Sequence, residues 1–183
     1  MSNKTYTNLL TPEQCTSVAN SMLKLWTESK LNYETDNYYY RNSYGYSDLP
    51  EAINLLPIID PIIKNDHPGF EFETVYTRIY QNDSTLTFHT DRSNLYLTLS
   101  VCMFTDVDEP WPLIVSTVPH KDSWNNNIPF EWFSHDCIKH ITPIGTGVTC
   151  FGTVFPHWRE PLKCKEDQKI IQSFYHWNRI STQ

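Results

Sequence analysis

The chain has 183 residues, a formal net charge of −7, 39% hydrophobic residues and 14% aromatics. That composition excludes a disordered chain, and the acidic balance argues against a nucleic-acid backbone as main partner, because phosphate binding needs clustered Lys and Arg. A nucleotide or a basic peptide in a local pocket stays open. No apolar run approaches the ~20 residues needed to span a bilayer, and Met1–Thr7 has no apolar signal core. The expectation is a cytoplasmic protein without membrane association, one domain over 1–183, of unreadable oligomeric state. Cysteines 15, 102, 137, 150 and 164 form no close-spaced pair and are odd in number, so they read as free thiols, not as a disulfide framework or zinc site.

In chain order, Thr11-Pro12-Glu13-Gln14 predicts a helix start, with Thr11 as cap, Pro12 at the first position and Gln14 closing a capping box. Cys15, Val18, Ala19, Met22, Leu25 and Trp26 then mark one apolar face to about residue 28. Residues 33–47 are rich in Tyr and Asn without a clean period, and read as an aromatic loop or a cleft wall. In 48–66, Pro57 and Pro61 predict two short helical pieces instead of one helix. From Phe70 the pattern alternates as a strand to Tyr80. Gln81-Asn82-Asp83-Ser84 predicts a turn, and a second strand runs from Leu86 to Asp91. Leu95 to Met103 alternates as a half-buried strand. Further strands are expected at Trp111–Ser116, Val148–Phe151 and Lys169–Trp177, while 119–137 carry no usable repeat. Helices in front of many strands predict a mainly β fold, a sandwich or barrel backed by helices.

One stretch carries chemistry, Thr87-Phe88-His89-Thr90-Asp91-Arg92. Two residues is the repeat of a strand, so His89 and Asp91 project from one face. An imidazole and a carboxylate are two of the three ligands of the facial triad of non-haem Fe(II) oxygenases. A third candidate lies in Phe155-Pro156-His157-Trp158-Arg159-Glu160, and His176 on the last strand either faces a pocket or packs.

The order of a tyrosine-bearing strand (Tyr76-Thr77-Arg78-Ile79-Tyr80), a His-x-Asp, a run of strands, the distal His157 and a last strand opening with a basic residue resembles the Fe(II)/2-oxoglutarate-dependent oxygenases. The small prolyl-4-hydroxylase-like viral and bacterial members are the most similar group. The resemblance covers about 70–177 and implies a double-stranded β-helix (jelly-roll) core behind a helical front of about 1–69. It also implies Fe(II) on His89, Asp91 and His157, with 2-oxoglutarate and O2 on the open face. Tyr80 matches a tyrosine that hydrogen-bonds the cosubstrate. Lys169 holds the place of its cationic anchor, with Arg159, on the same strand face as His157, as rival. The implied reaction converts 2-oxoglutarate to succinate and CO2 while hydroxylating a peptide prolyl residue, an amino acid or a related small molecule. A cupin-like metal enzyme without 2-oxoglutarate and a non-catalytic β-sandwich binding module are the competing classes. Substrate specificity is expected in 33–47 and 116–140.

Overall fold

The computed structural model describes residues 3–34, 40–120 and 130–180. Among the described residues ten strands and four helices follow in order: β1 (Thr5–Tyr6), α1 (Pro12–Thr27), β2 (Asn32–Glu34), β3 (Tyr40–Ser47), α2 (Pro50–Ile53), α3 (Leu56–Asp66), β4 (Phe70–His89), β5 (Leu97–Thr105), β6 (Leu113–Ser116), α4 (Phe130–Phe133), β7 (Cys137–His140), β8 (Gly147–Cys150), β9 (His157–Arg159) and β10 (Ile170–Arg179). The strands pair antiparallel in the order β1-β8-β5-β10-β4-β9-β6-β7, with β3 and β2 added beside β4. The result is a nearly closed, jelly-roll core with helices on one side.

The front begins as its sequence dictates. The Gln14 amide N–H donates to the Thr11 hydroxyl, and the Thr11 N–H donates to Gln14 Oε1 at 2.8 Å, a closed capping box. Cys15, Val18, Ala19 and Met22 of α1, with Ile59 and Ile63 of α3, pack on Leu97, Leu99, Val101 and Met103 of β5 and on Ile171, Tyr175 and Trp177 of β10. Polar tips on this face are tied off. The Trp177 indole donates to Asp60 at 2.8 Å, and the Tyr175 hydroxyl donates to the Ala52 carbonyl at 3.0 Å.

The two helical pieces expected over 48–66 are α2 and α3, but Pro61 lies inside α3 and does not end it. Pro57 and Pro61 are both exposed, so water can take the Pro57 carbonyl that Pro61 leaves without a donor. The segment 33–47 is not a loop at both ends, since β2 and β3 pair there and β3 lies against β4; residues 35–39 fall outside the described residues.

The expected turn at 81–84 does not reverse the chain. β4 runs through it as a kink, with Asp83 at φ 61°. The Gln81 N–H donates to Ser84 Oγ at 2.8 Å, and that hydroxyl donates to the Asn42 carbonyl. Before the kink β4 pairs with β10 as far as Tyr80; after it, from Leu86, β4 pairs with β9. One strand therefore serves both sheets of the jelly roll.

Both faces of the strands flanking the barrel are buried. Leu97, Leu99 and Val101 of β5 face the helices, while Thr98, Ser100 and Cys102 face the barrel interior. The polar half of the alternation is thus not a wet surface. It lines the site.

Candidate metal centre

His89 ends β4 and His157 opens β9, and the two are direct cross-strand partners with ring centroids 4.3 Å apart. Asp91 follows in the loop, its N–H donating to the Gly152 carbonyl at 2.8 Å. One ligand atom from each of His89, Asp91 and His157 falls within 4.8 Å of the others, and all three residues are buried. Asp91 Oδ1 stands 3.5 Å from His89 Nε2 and 3.7 Å from His157 Nε2.

The hydrogen bonds fix which nitrogens are available. His89 Nδ1 lies 2.7 Å from the Thr87 carbonyl and His157 Nδ1 lies 3.1 Å from the Phe155 carbonyl. A carbonyl only accepts, so each Nδ1 carries a proton, and Nε2 is the nitrogen that each ring turns toward Asp91. Burial keeps His157 neutral, pushing it down to about 4, with His89 adding to the depression and Asp91 opposing it. Burial would raise the Asp91 carboxyl, but the facing imidazoles of His157, His89 and His176 hold it well below the usual carboxylate range. Two imidazoles presenting Nε2 and one carboxylate are the donor set that suits a divalent first-row metal with open positions, and that set fits Fe(II).

A second layer holds the carboxylate. Thr98 Oγ1 donates to Asp91 Oδ2 at 2.7 Å and lies 2.9 Å from His176 Nδ1. The threonine has one proton and gives it to the ionised carboxylate. His176 Nδ1 must therefore donate to Thr98, which leaves the His176 Nε2 lone pair in the cavity. Gly152 makes the arrangement possible, because a Cβ there would stand 1.9 Å from Asp91 Oδ2. Neither Thr98 nor Gly152 is marked by the sequence. Only the polar alternation of β5 hints at the threonine.

The cavity is about 390 Å³ with its mouth included, and Tyr40, Leu86, Ser100, Leu113, Val148, Cys150, Phe174 and His176 join the triad in its wall. Two of the three residues expected to hold a cosubstrate are buried together behind the Ser100 wall of this cavity. Arg159 is 1% exposed, and its guanidinium donates to the Trp111 carbonyl and, at 3.3 Å, to the Ser100 hydroxyl, while stacking on the Trp111 ring. Tyr80 is fully buried against the same ring, centroids 4.8 Å apart. The Tyr80 hydroxyl and Arg159 Nε have no hydrogen-bond partner among the described residues. Burial raises the Tyr80 hydroxyl and lowers the Arg159 guanidinium to about 10, so both remain donors at neutral pH.

Lys169 lies apart from them. Its Nζ donates to the Asp167 carbonyl at 2.6 Å and sits over the Trp26 ring of α1, on the helical side of the sheet. The positions of β10 that do point inward are Ile170, Gln172, Phe174 and His176.

No family model and no curated sequence matches this chain. Solved structures do. A Pseudomonas putida prolyl-4-hydroxylase superposes with a TM-score of 0.71 at 12% identity, over 98% of this chain and 93% of that one. The viral collagen prolyl hydroxylase of Paramecium bursaria Chlorella virus-1, solved with 2-oxoglutarate, gives 0.64 at 14% identity over 97% and 96%. HygX of Streptomyces hygroscopicus, solved with nickel and 2-oxoglutarate, gives 0.67 at 13% identity over 97% and 82%. At such identities the likeness establishes a shared fold.

Proposed function

We propose that this chain, which has the fold of the Fe(II)/2-oxoglutarate-dependent oxygenases, is an oxygenase that uses Fe(II), 2-oxoglutarate and O2 to hydroxylate a small molecule or peptide. The observation that carries the reading is the cross-strand pair of imidazoles, each with Nδ1 tied to a backbone carbonyl and Nε2 turned to one buried carboxylate. His89, Asp91 and His157 would hold the metal on one face. When bound, the iron and its cosubstrate supply the oxidising chemistry, releasing succinate and CO2.

The chain's own residues do the rest. Thr98 keeps both oxygens of Asp91 in place, one for the metal and one for its own hydroxyl. Arg159 would receive the far carboxylate of 2-oxoglutarate through its unused Nε–H, with the Tyr80 hydroxyl as a second donor. Both donors are already desolvated and fixed by Trp111, so little reorganisation is left for binding. Leu86, Leu113, Val148 and Phe174 give the cavity beside the triad apolar walls, which would keep water from a bound cosubstrate.

The test is anaerobic addition of Fe(II) and then 2-oxoglutarate, watched for the visible charge-transfer band of the chelate. The band is expected in the wild type and absent in His89→Ala. Arg159→Met should raise the 2-oxoglutarate requirement by about a hundredfold, the worth of a buried charge-assisted contact, and Lys169→Met should leave it unchanged. The reverse ranking would return the anchor to Lys169. Iron bound without any response to 2-oxoglutarate would favour the cupin-like class.

A further inference from the structure

Five arginines occur in the sequence, at 41, 78, 92, 159 and 179. One of them, Arg78, is a buried cation that neither the triad nor the cosubstrate anchor uses. It is 5% exposed and stands on the inward face of β4, between Tyr76 and Tyr80. Its side chain lies across β3, where Gly45 makes room; a Cβ at that glycine would come within 2.8 Å of the guanidinium. Among the described residues its ion-pair partner is Glu34 of the edge strand β2, at 2.6 Å and 30% exposed. The guanidinium packs on the Tyr40 ring at 3.5 Å, and Tyr40 itself lines the metal cavity with His89 and Asp91. The buried Arg78 Nε has no hydrogen-bond partner among the described residues.

A second cation stands beside it. Arg92 donates to the Tyr76 hydroxyl at 3.1 Å, and the Arg78 guanidinium is 5.9 Å from the Tyr76 ring. Tyr76 also packs edge-on against His176 of the cavity wall, centroids 5.5 Å apart. The fields of both arginines reach His176. A chain of net charge −7 thus gathers two guanidinium groups around one tyrosine beside its metal cavity.

A buried guanidinium with an unused N–H loses the hydration of that group and gains nothing for it in the free protein, unless an anion completes the set. Resting on the oxygenase reading, we propose that Arg78, backed by Arg92 across Tyr76, is the recognition site for a carboxylate on the substrate, so that the substrate is a small organic acid or an amino acid with a free carboxyl group. The charge count favours a carboxylate over a phosphate. Glu34 already faces Arg78, and a doubly charged group would meet that repulsion twice.

The Nε–H resonances of arginine-labelled protein test this, with the site filled by Zn(II) and 2-oxoglutarate and each resonance assigned by Arg→Lys variants. Titration with acetate should move the Arg78 resonance saturably, and acetamide should not move it. Glu34→Gln should tighten acetate by about threefold, the worth of a partly exposed ion pair. A merely structural Arg78 would show neither effect. An Arg78 resonance that ignores acetate overturns the proposal, as does one that answers inorganic phosphate more tightly than acetate. The addition of 2-oxoglutarate is read separately, at Arg159. Movement there with a silent Arg78 refutes the substrate site alone, whereas movement of Arg78 in place of Arg159 makes Arg78 a cosubstrate anchor and removes it from substrate recognition.

Discussion

Gly152 decides more about the candidate site than its size suggests. Its backbone carbonyl fixes the Asp91 N–H, and its missing side chain is the space the Asp91 carboxylate occupies. A methyl group there would overlap Oδ2 at 1.9 Å, and the atom it meets is a carboxylate held on both sides by Thr98 and the imidazoles. Gly152→Ala is therefore expected to cost metal affinity by at least about a hundredfold, the upper range for a disturbed ligand support, with a fold intact by circular dichroism. Metal titration of the variant checks this. Thr98→Val keeps the shape and removes only the hydroxyl bond, so it should cost about tenfold. An affinity unchanged in both would mean that the carboxylate does not hold the metal.

Among the elements, β4 does the most, because its kink hands the chain from one sheet to the other between Tyr80 and Leu86. Ser84 holds the kink closed, receiving the Gln81 N–H and donating to the Asn42 carbonyl from a fully buried position. Ser84→Ala leaves those two backbone groups unpaired and should destabilise the protein by about 2 kcal/mol. It should also weaken metal binding, since the kink sets the angle at which His89 meets His157; denaturant unfolding and metal titration read the two effects. The kink was not legible in the sequence. Gln81-Asn82-Asp83-Ser84 has the residues of a reversing turn, and only pairing with two different partner strands tells a bend from a reversal. By contrast α1 was legible, because its cap, its proline and its apolar face are all local. The sequence picks out His89 and Asp91 together, but not by the strand period it suggests, because β4 ends at His89 and Asp91 is held from the loop by the Gly152 carbonyl. His157 is marked as a candidate by its own stretch, and its metal role is what the family resemblance implies. The β5 alternation misled in a physical way. Thr98, Ser100 and Cys102 look like a wet face until barrel closure buries them, and closure is not a local property. The choice between Lys169 and Arg159 was open for the same reason, because the register of β10 depends on the irregular stretch before it.

For the whole molecule the candidate site carries a cost that pH exposes. His157 and His176 are buried and neutral, both pushed down to about 4 from an ordinary 6.5, with desolvation the largest cause in each. In the unfolded chain they take up protons as the pH falls through about 6.5; in the folded protein they do so only near 4. Over that window the unfolded state binds more protons, so stability of the metal-free protein is complete above about pH 6.5 and is lost progressively as pH falls toward 4. Its melting temperature should be flat above the window and fall through it. His176→Gln removes one of the two groups and leaves all three candidate ligands, so it should make the fall shallower while metal binding at neutral pH survives. Metal adds a second dependence with the same sign, because it binds the deprotonated ligands of the folded state and competes with protons for them. The stabilisation gained on adding Zn(II) should therefore shrink on acidification, and faster than the metal-free curve falls. A metal-induced shift in melting temperature that is as large near pH 4 as near pH 7 would place the ion on groups other than these imidazoles.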